Sequence, residues 1–152
     1  MDAMKTLSRR GLVYQMTNAE RLTELLSEGS LSFYIGFDPT ASSLHLGHLV
    51  PMMAASHLQK AGHRPILVVG GGTALIGDPS GRSAERTLES RERIAEWAGT
   101  LRQQMRGFLD FDDPRCGAQI VDNADWLCGL NYIDFLRDVG RHFSVNRMLA
   151  KE

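Results

Sequence analysis

The sequence predicts an α/β fold built on a parallel sheet, and three stretches carry that prediction. "LSFYIGF" (Leu31 to Phe37) is β-branched and aromatic without a helical period, so it reads as a strand. Leu46, Leu49, Val50, Met53, Ala54 and Leu58 then recur at helical spacing, and "AGH" (Ala61 to His63) ends that helix. "PILVVGGG" (Pro65 to Gly72) follows as a continuous apolar run, the mark of a strand covered on both faces. Strand, helix and strand within roughly 40 residues form a βαβ unit, which implies parallel strands and a right-handed crossover.

The remaining elements extend this alternation. Residues 1–30 read as a peripheral helical segment: Leu7 precedes a helix stop at Gly11, and "TNAE" (Thr17 to Glu20) fits a capping box ahead of Leu22, Leu25 and Leu26. Residues 31–152 carry the sheet. There Ser90 can cap a helix bearing Ile94, Trp97, Leu101, Met105 and Phe108, and "DFDDP" (Asp110 to Pro114) breaks it. "AQIVDNADW" (Ala118 to Trp126) supplies a further short strand. Ile133, Leu136 and Val139 form a helix face closed by Gly140, and Ser144 opens another helix. That helix has run about two turns when the chain stops at Glu152, which reads as a cut within a larger domain.

Composition bounds the function. With 152 residues, 43% hydrophobic and 23% charged, the chain is the size of one ordinary domain and can bury a core. A net charge of −1 provides no global field for nucleic acid or a membrane surface, so any nucleic-acid contact must be local. Cys116 and Cys128 lack the CxxC spacing and read as free thiols of a reducing compartment. No run reaches the roughly 18 apolar residues of a membrane span. "MDAMKTLSRRG" holds no secretion signal, so a cytoplasmic location is expected.

The chemistry concentrates in "YIGFDPTASSLHLGHLVP" (Tyr34 to Pro51), which lies between the first strand and its helix. In a parallel sheet, ligands collect beyond the carboxyl ends of the strands, where N–H groups of the following helix point outward. Gly47 leaves room there for a flat base to approach the backbone. His45 and His48, on either side of it, can donate to phosphate or ribose oxygens as charge builds in a transition state. Pro51 is tolerated because the helix has barely begun. The alternatives are a zinc site, for which no third ligand is in view, and packing of both rings in the core.

The same stretch, with "GGGTALIGDPSGRSAERT" (Gly70 to Thr87) and "FLRDVGRHFSVNRML" (Phe135 to Leu149), resembles the bacterial-type tyrosyl-tRNA synthetases of class I. The likeness spans nearly the whole chain. It implies a Rossmann-like catalytic domain, present here as its N-terminal part, in an enzyme that joins tyrosine and ATP into tyrosyl-adenylate and passes the tyrosyl group to tRNA(Tyr). By this resemblance Thr40 and His45 grip the triphosphate, while His48 and Gly47 seat ribose and adenine. Gly36 and Asp38 line the adenylate. Tyr34 meets the substrate phenol, and a polar pocket floor would reject phenylalanine; this enzyme family is the standing example of that discrimination. Asp78 takes the α-amino group, and Thr73 and Asn123 border the tyrosine side, with Trp126 near them. In P-loop terms, Asp78 stands where a lysine belongs after Gly72 and Gly77, and an aspartate there suits an ammonium rather than a triphosphate. Without the resemblance, the alternative is that Asp78 simply caps the turn before Pro79.

Arg82 and Arg86 could meet pyrophosphate or the tRNA acceptor end, or form a solvated charge run. His57, His63 and His142 are read as structural or exposed. ATP enters as substrate accompanied by Mg2+, with no tightly bound cofactor and no metal site. The complete enzyme is expected to be a homodimer without membrane contact. The lysine-bearing second signature of the family has no counterpart in this chain. Two other readings stand beside this one: a small cytidylyl- or adenylyltransferase, and a non-catalytic synthetase fragment acting as a binding module.

Overall fold

The computed structural model describes residues 2–76 and 90–150. In chain order the elements are α1 (Ala3–Arg9), α2 (Ala19–Glu28), β1 (Ser32–Phe37), α3 (Leu46–Lys60), β2 (Arg64–Val69) and α4 (Gly71–Ala74). They continue with α5 (Arg91–Met105), β3 (Gln119–Asp122), α6 (Ala124–Leu127), α7 (Tyr132–Asp138), a 3-10 turn at Gly140–His142, and α8 (Val145–Leu149).

The three strands form one parallel sheet in the order β1-β2-β3. Its register sets Phe37 opposite Val69 and Val69 opposite Asp122, so all three strands end level. Phe37, Leu67 and Val69 bury themselves with Met52 and Ala55 of α3 and with Ala98, Leu101 and Met105 of α5. These two helices thus cover one face of the sheet. The other face is more open: Tyr34 is 76% exposed, and Ile66 and Val68 are only half-buried. Among the described residues, the second strand is therefore fully covered on one face and only partly on the other. Its continuous apolar run also includes Gly71 and Gly72, which leave the strand to begin α4.

Several boundaries move for local reasons. The cap of α2 is Asn18 and not Thr17; its Oδ1 accepts from the Arg21 N–H at 2.9 Å, satisfying one of the free donors of a helix start. Ser90 caps α5 in the same manner, accepting from the Arg93 N–H at 3.2 Å. The α3 period marks a helix but misplaces its buried side. Met52, Ala55, Ser56 and Gln59 face inward, while Leu46 is 79% and Val50 54% exposed. Pro51 stands in the second turn of α3, beyond the donors that need no intrahelical partner, so the Gly47 carbonyl forgoes a helical bond. Gly62, with φ of +100°, lets the chain leave α3 and enter β2. Helix α1 packs against α3 through a buried Ala3, Met4 and Leu7.

Candidate functional site

Level strand ends bring three turns together. After β1 come Asp38, Pro39 and Thr40; after β2, Gly70 to Thr73; and after β3, Asn123. The central turn is stitched to both neighbours, since the Gly70 N–H donates to the Phe37 carbonyl at 2.9 Å and the Asn123 N–H to the Val69 carbonyl at 3.0 Å. Each glycine of the run clears space for a different side chain. A methyl group at Gly70 would collide with the Asp38 carboxylate, at Gly71 with the Asp122 carboxylate, and at Gly72 it would press on Asn123 Oδ1 and the Ala124 backbone. Three consecutive glycines are needed because three polar groups converge on one turn.

Thr73 and Asn123 meet here, 50 positions apart in the chain. Asn123 Nδ2 donates to Thr73 Oγ1 at 3.1 Å, and Asn123 Oδ1 accepts from the Gly72 N–H at 2.7 Å and the Thr73 N–H at 3.4 Å. The amide oxygen is thus committed within the protein. Asp122 supports the pair: its Oδ1 accepts from the Gly71 N–H at 3.1 Å and the Ala124 N–H at 3.0 Å, and its Oδ2 lies 2.8 Å from Arg102 Nη2. Sequence reasoning passed over Asp122 and Arg102. The only signal for them was the glycine run, which announces a close approach without saying of what.

The histidines stand at the start of α3. His45 is the N-cap residue, and its N–H donates to His48 Nδ1 at 3.3 Å. The two rings stack with centroids 3.7 Å apart and an angle of 18° between planes, and the His48 ring also meets Phe37 edge-on at 5.8 Å. Gly47 is required for this packing, since a Cβ there would sit 3.0 Å from the His45 ring; the room that the glycine leaves is filled by an imidazole. Burial pulls the His48 pKa below 6.5, and the nearby His45 adds to that, against the opposing pull of Asp38. His48 is therefore neutral at pH 7. With Nδ1 accepting from the backbone, its proton is on Nε2, which makes that atom a donor. His45 is exposed, so the two rings are not packed together in the core, and no group of three or more His, Cys, Asp or Glu among the described residues is placed to hold a metal.

Thr40 is exposed, with its N–H donating to the Asp38 carbonyl at 2.9 Å. Tyr34 lies in the middle of β1, and its hydroxyl has no hydrogen-bond partner among the described residues. Gly36 follows on the same strand face, with open space where a side chain would stand. Tyr34 and Gly36 thus border a bare strip of β1 that runs toward Asp38. Trp126 is 48% exposed, and His63 is buried at the opposite end of the sheet. Gly77, Asp78, Arg82 and Arg86 lie outside the described residues.

Residues 26–152 match the family model described as tRNA synthetases class I (W and Y). The chain belongs to this family. A match over most of the chain sets aside the cytidylyl- or adenylyltransferase reading. Among curated relatives, the synthetase chain is 53% identical to the tyrosine–tRNA ligase of Acetivibrio thermocellus, covering 99% of the chain and 36% of the relative. It is 52% identical to that of Caldanaerobacter subterraneus subsp. tengcongensis, covering 100% and 37%. It therefore spans about a third of the length of the curated relatives it matches. Among solved structures, a C-terminally truncated mitochondrial tyrosyl-tRNA synthetase of Aspergillus nidulans superposes with a TM-score of 0.84 at 23% identity, covering 99% of this chain and 45% of that one. At that identity the likeness bears on the fold alone.

Proposed function

We propose that this chain carries the ATP signature and part of the tyrosine pocket of a tyrosine–tRNA ligase. In the complete enzyme a tyrosine carboxylate oxygen attacks the α-phosphorus of ATP. The bond from that phosphorus to the β-phosphate oxygen breaks, pyrophosphate leaves, and the tyrosyl group of the adenylate then passes to tRNA(Tyr). No protein nucleophile takes part, so rate comes from orientation and from donors aimed where charge gathers.

The observation that carries this reading is the stacked histidine pair at the start of α3, beyond the carboxyl end of β1. His48 is a neutral donor through Nε2 and suits a ribose or phosphate oxygen. His45 and Thr40, both exposed at the same turn, suit the departing phosphates. Gly36 leaves the backbone open to the adenylate, with Asp38 beside it, and Gly47, against the His45 ring, completes the ribose and adenine side. Tyr34, Thr73, Asn123 and Asp78 form the tyrosine side, and Arg82 and Arg86 contact phosphate or tRNA. ATP binds as its Mg2+ complex, and the complete enzyme works as a homodimer. Among the described residues no helix is long and apolar enough to cross a membrane.

Tyrosine-dependent exchange of pyrophosphate into ATP tests the proposal. His45→Ala should lower the exchange rate far more than it weakens tyrosine binding; equal losses count against the role. A second reading draws on the chain spanning about a third of its relatives: a synthetase segment that binds another chain without catalysis. Absence of exchange together with a stable complex would favour it.

A further inference from the structure

We propose that Asp122, held by Arg102, is the positioning residue for the two polar groups on the tyrosine side, Thr73 and Asn123. This rests on the functional reading above. Thr73 belongs to α4 and Asn123 precedes α6, and each of these helices is a single turn of four residues. Helices that short do not hold themselves, because nucleation costs more than one turn of hydrogen bonds returns. Their first N–H groups need acceptors from outside.

Asp122 provides one for both. A single oxygen, Oδ1, takes the Gly71 N–H at 3.1 Å and the Ala124 N–H at 3.0 Å, so the spacing between the two short helices is set by one atom. The other oxygen, Oδ2, takes Arg102 Nη2 at 2.8 Å, which ties that atom to α5 and to the packed layer beneath the sheet. Asp122 is 8% exposed, and Gly71 lacks the Cβ that would block its approach. Asn123 and Thr73 bond to one another, so they move as a unit; Asp122 determines where that unit stands relative to β1. An asparagine at 122 has one acceptor oxygen and must give up either the two backbone donors or the arginine.

Arg102→Lys is the informative conservative variant. Arg102 Nε is buried with no acceptor among the described residues, so lysine discards an unused donor while keeping the charge. The test compares amide hydrogen exchange of the 152-residue chain with that of Asp122→Asn, Arg102→Met and Arg102→Lys, alongside titrations with L-tyrosine and with ATP. Asp122→Asn should accelerate exchange at Gly71 and Ala124 about tenfold. Amides of the central strand at Ile66 to Val68 should keep their rates. Arg102→Met should move the same amides, and Arg102→Lys should restore them. Binding of L-tyrosine should weaken about tenfold in Asp122→Asn, with ATP binding unchanged.

Unchanged exchange at Gly71 and Ala124 would overturn the inference. So would uniform acceleration across the sheet, which is a stability effect, or loosened turns with L-tyrosine bound as in the wild type. A wild-type chain that binds neither L-tyrosine nor ATP would instead sink the functional reading, and the exchange comparison would still decide whether Asp122 positions the turns.

Discussion

His63 opens the approach to β2 with a side chain that is only 2% exposed. Its Nδ1 accepts from the Leu31 N–H at 3.3 Å, and its Nε2 is buried without a partner among the described residues. Burial alone lowers its pKa below 6.5. The unfolded chain thus binds this proton more readily than the folded one, so the native state holds its full stability above pH 6.5 and loses it as pH falls toward the lowered value. His48 shifts in the same direction. The urea midpoint should therefore fall between pH 7.5 and 5.5, where carboxylates are still ionised. His63→Gln, which does not ionise and still offers an acceptor to Leu31, should flatten most of that slope; an unchanged slope would place the proton uptake elsewhere. Gly71→Ala is a second residue-scale test. Its methyl would meet the Asp122 carboxylate, and a loss of about 1–3 kcal/mol is expected by urea denaturation. The histidine pair could be read from sequence because both residues lie within one short signature. Asp122 could not: its partners Gly71 and Arg102 are 51 and 20 positions away, and no local period reports such a meeting.

At the scale of elements, the alternation of strand and helix was legible, and the direction in which each element faces was not. The spacing of Leu46, Val50 and Met53 identified α3 correctly, yet its buried side is Met52, Ala55, Ser56 and Gln59. Two of those four are polar, and a hydrophobic count cannot find a face that buries a serine and a glutamine. Gln59 shows why it is inside. Its Oε1 accepts from the Asp110 N–H at 3.0 Å, and its Nε2 donates to the Cys116 carbonyl at 3.0 Å, so one side chain clamps the loop between α5 and β3 onto α3. Gln59→Ala would leave a backbone donor and a backbone acceptor without partners in a buried setting. The expected cost is about 3 kcal/mol, read as a lower urea midpoint with an unchanged slope. A loss below about 1 kcal/mol would mean that water replaces both bonds.

At the scale of the whole molecule, the sequence announced apolar faces but not what covers them. Ile133 on α7 is 65% exposed, Phe143 63%, Val145 and Leu149 on α8 63% and 79%, and Leu46 on α3 79%. Among the described residues, α7 packs chiefly against the 3-10 turn that follows it. Exposed apolar surface of this extent is uncommon on soluble monomers and drives association. The chain in isolation should therefore associate as its concentration rises, measured by sedimentation velocity or by light scattering on a sizing column. The two apolar regions can be separated by substitution. Phe143→Asp and Leu46→Asp alter side chains that contribute little to the folded core, so thermal stability should hold in both. If the α7–α8 surface is responsible, Phe143→Asp restores the monomer and Leu46→Asp does not. The form of the association carries further information. An isologous contact closes at two copies, whereas a patch that binds a different surface of the next molecule continues to larger species. A plateau at twice the monomer mass, abolished by Phe143→Asp, would place a self-complementary face on α7 and α8. Growth without a plateau would mean that this surface meets unlike surfaces, and a monomer at every concentration would refute the prediction.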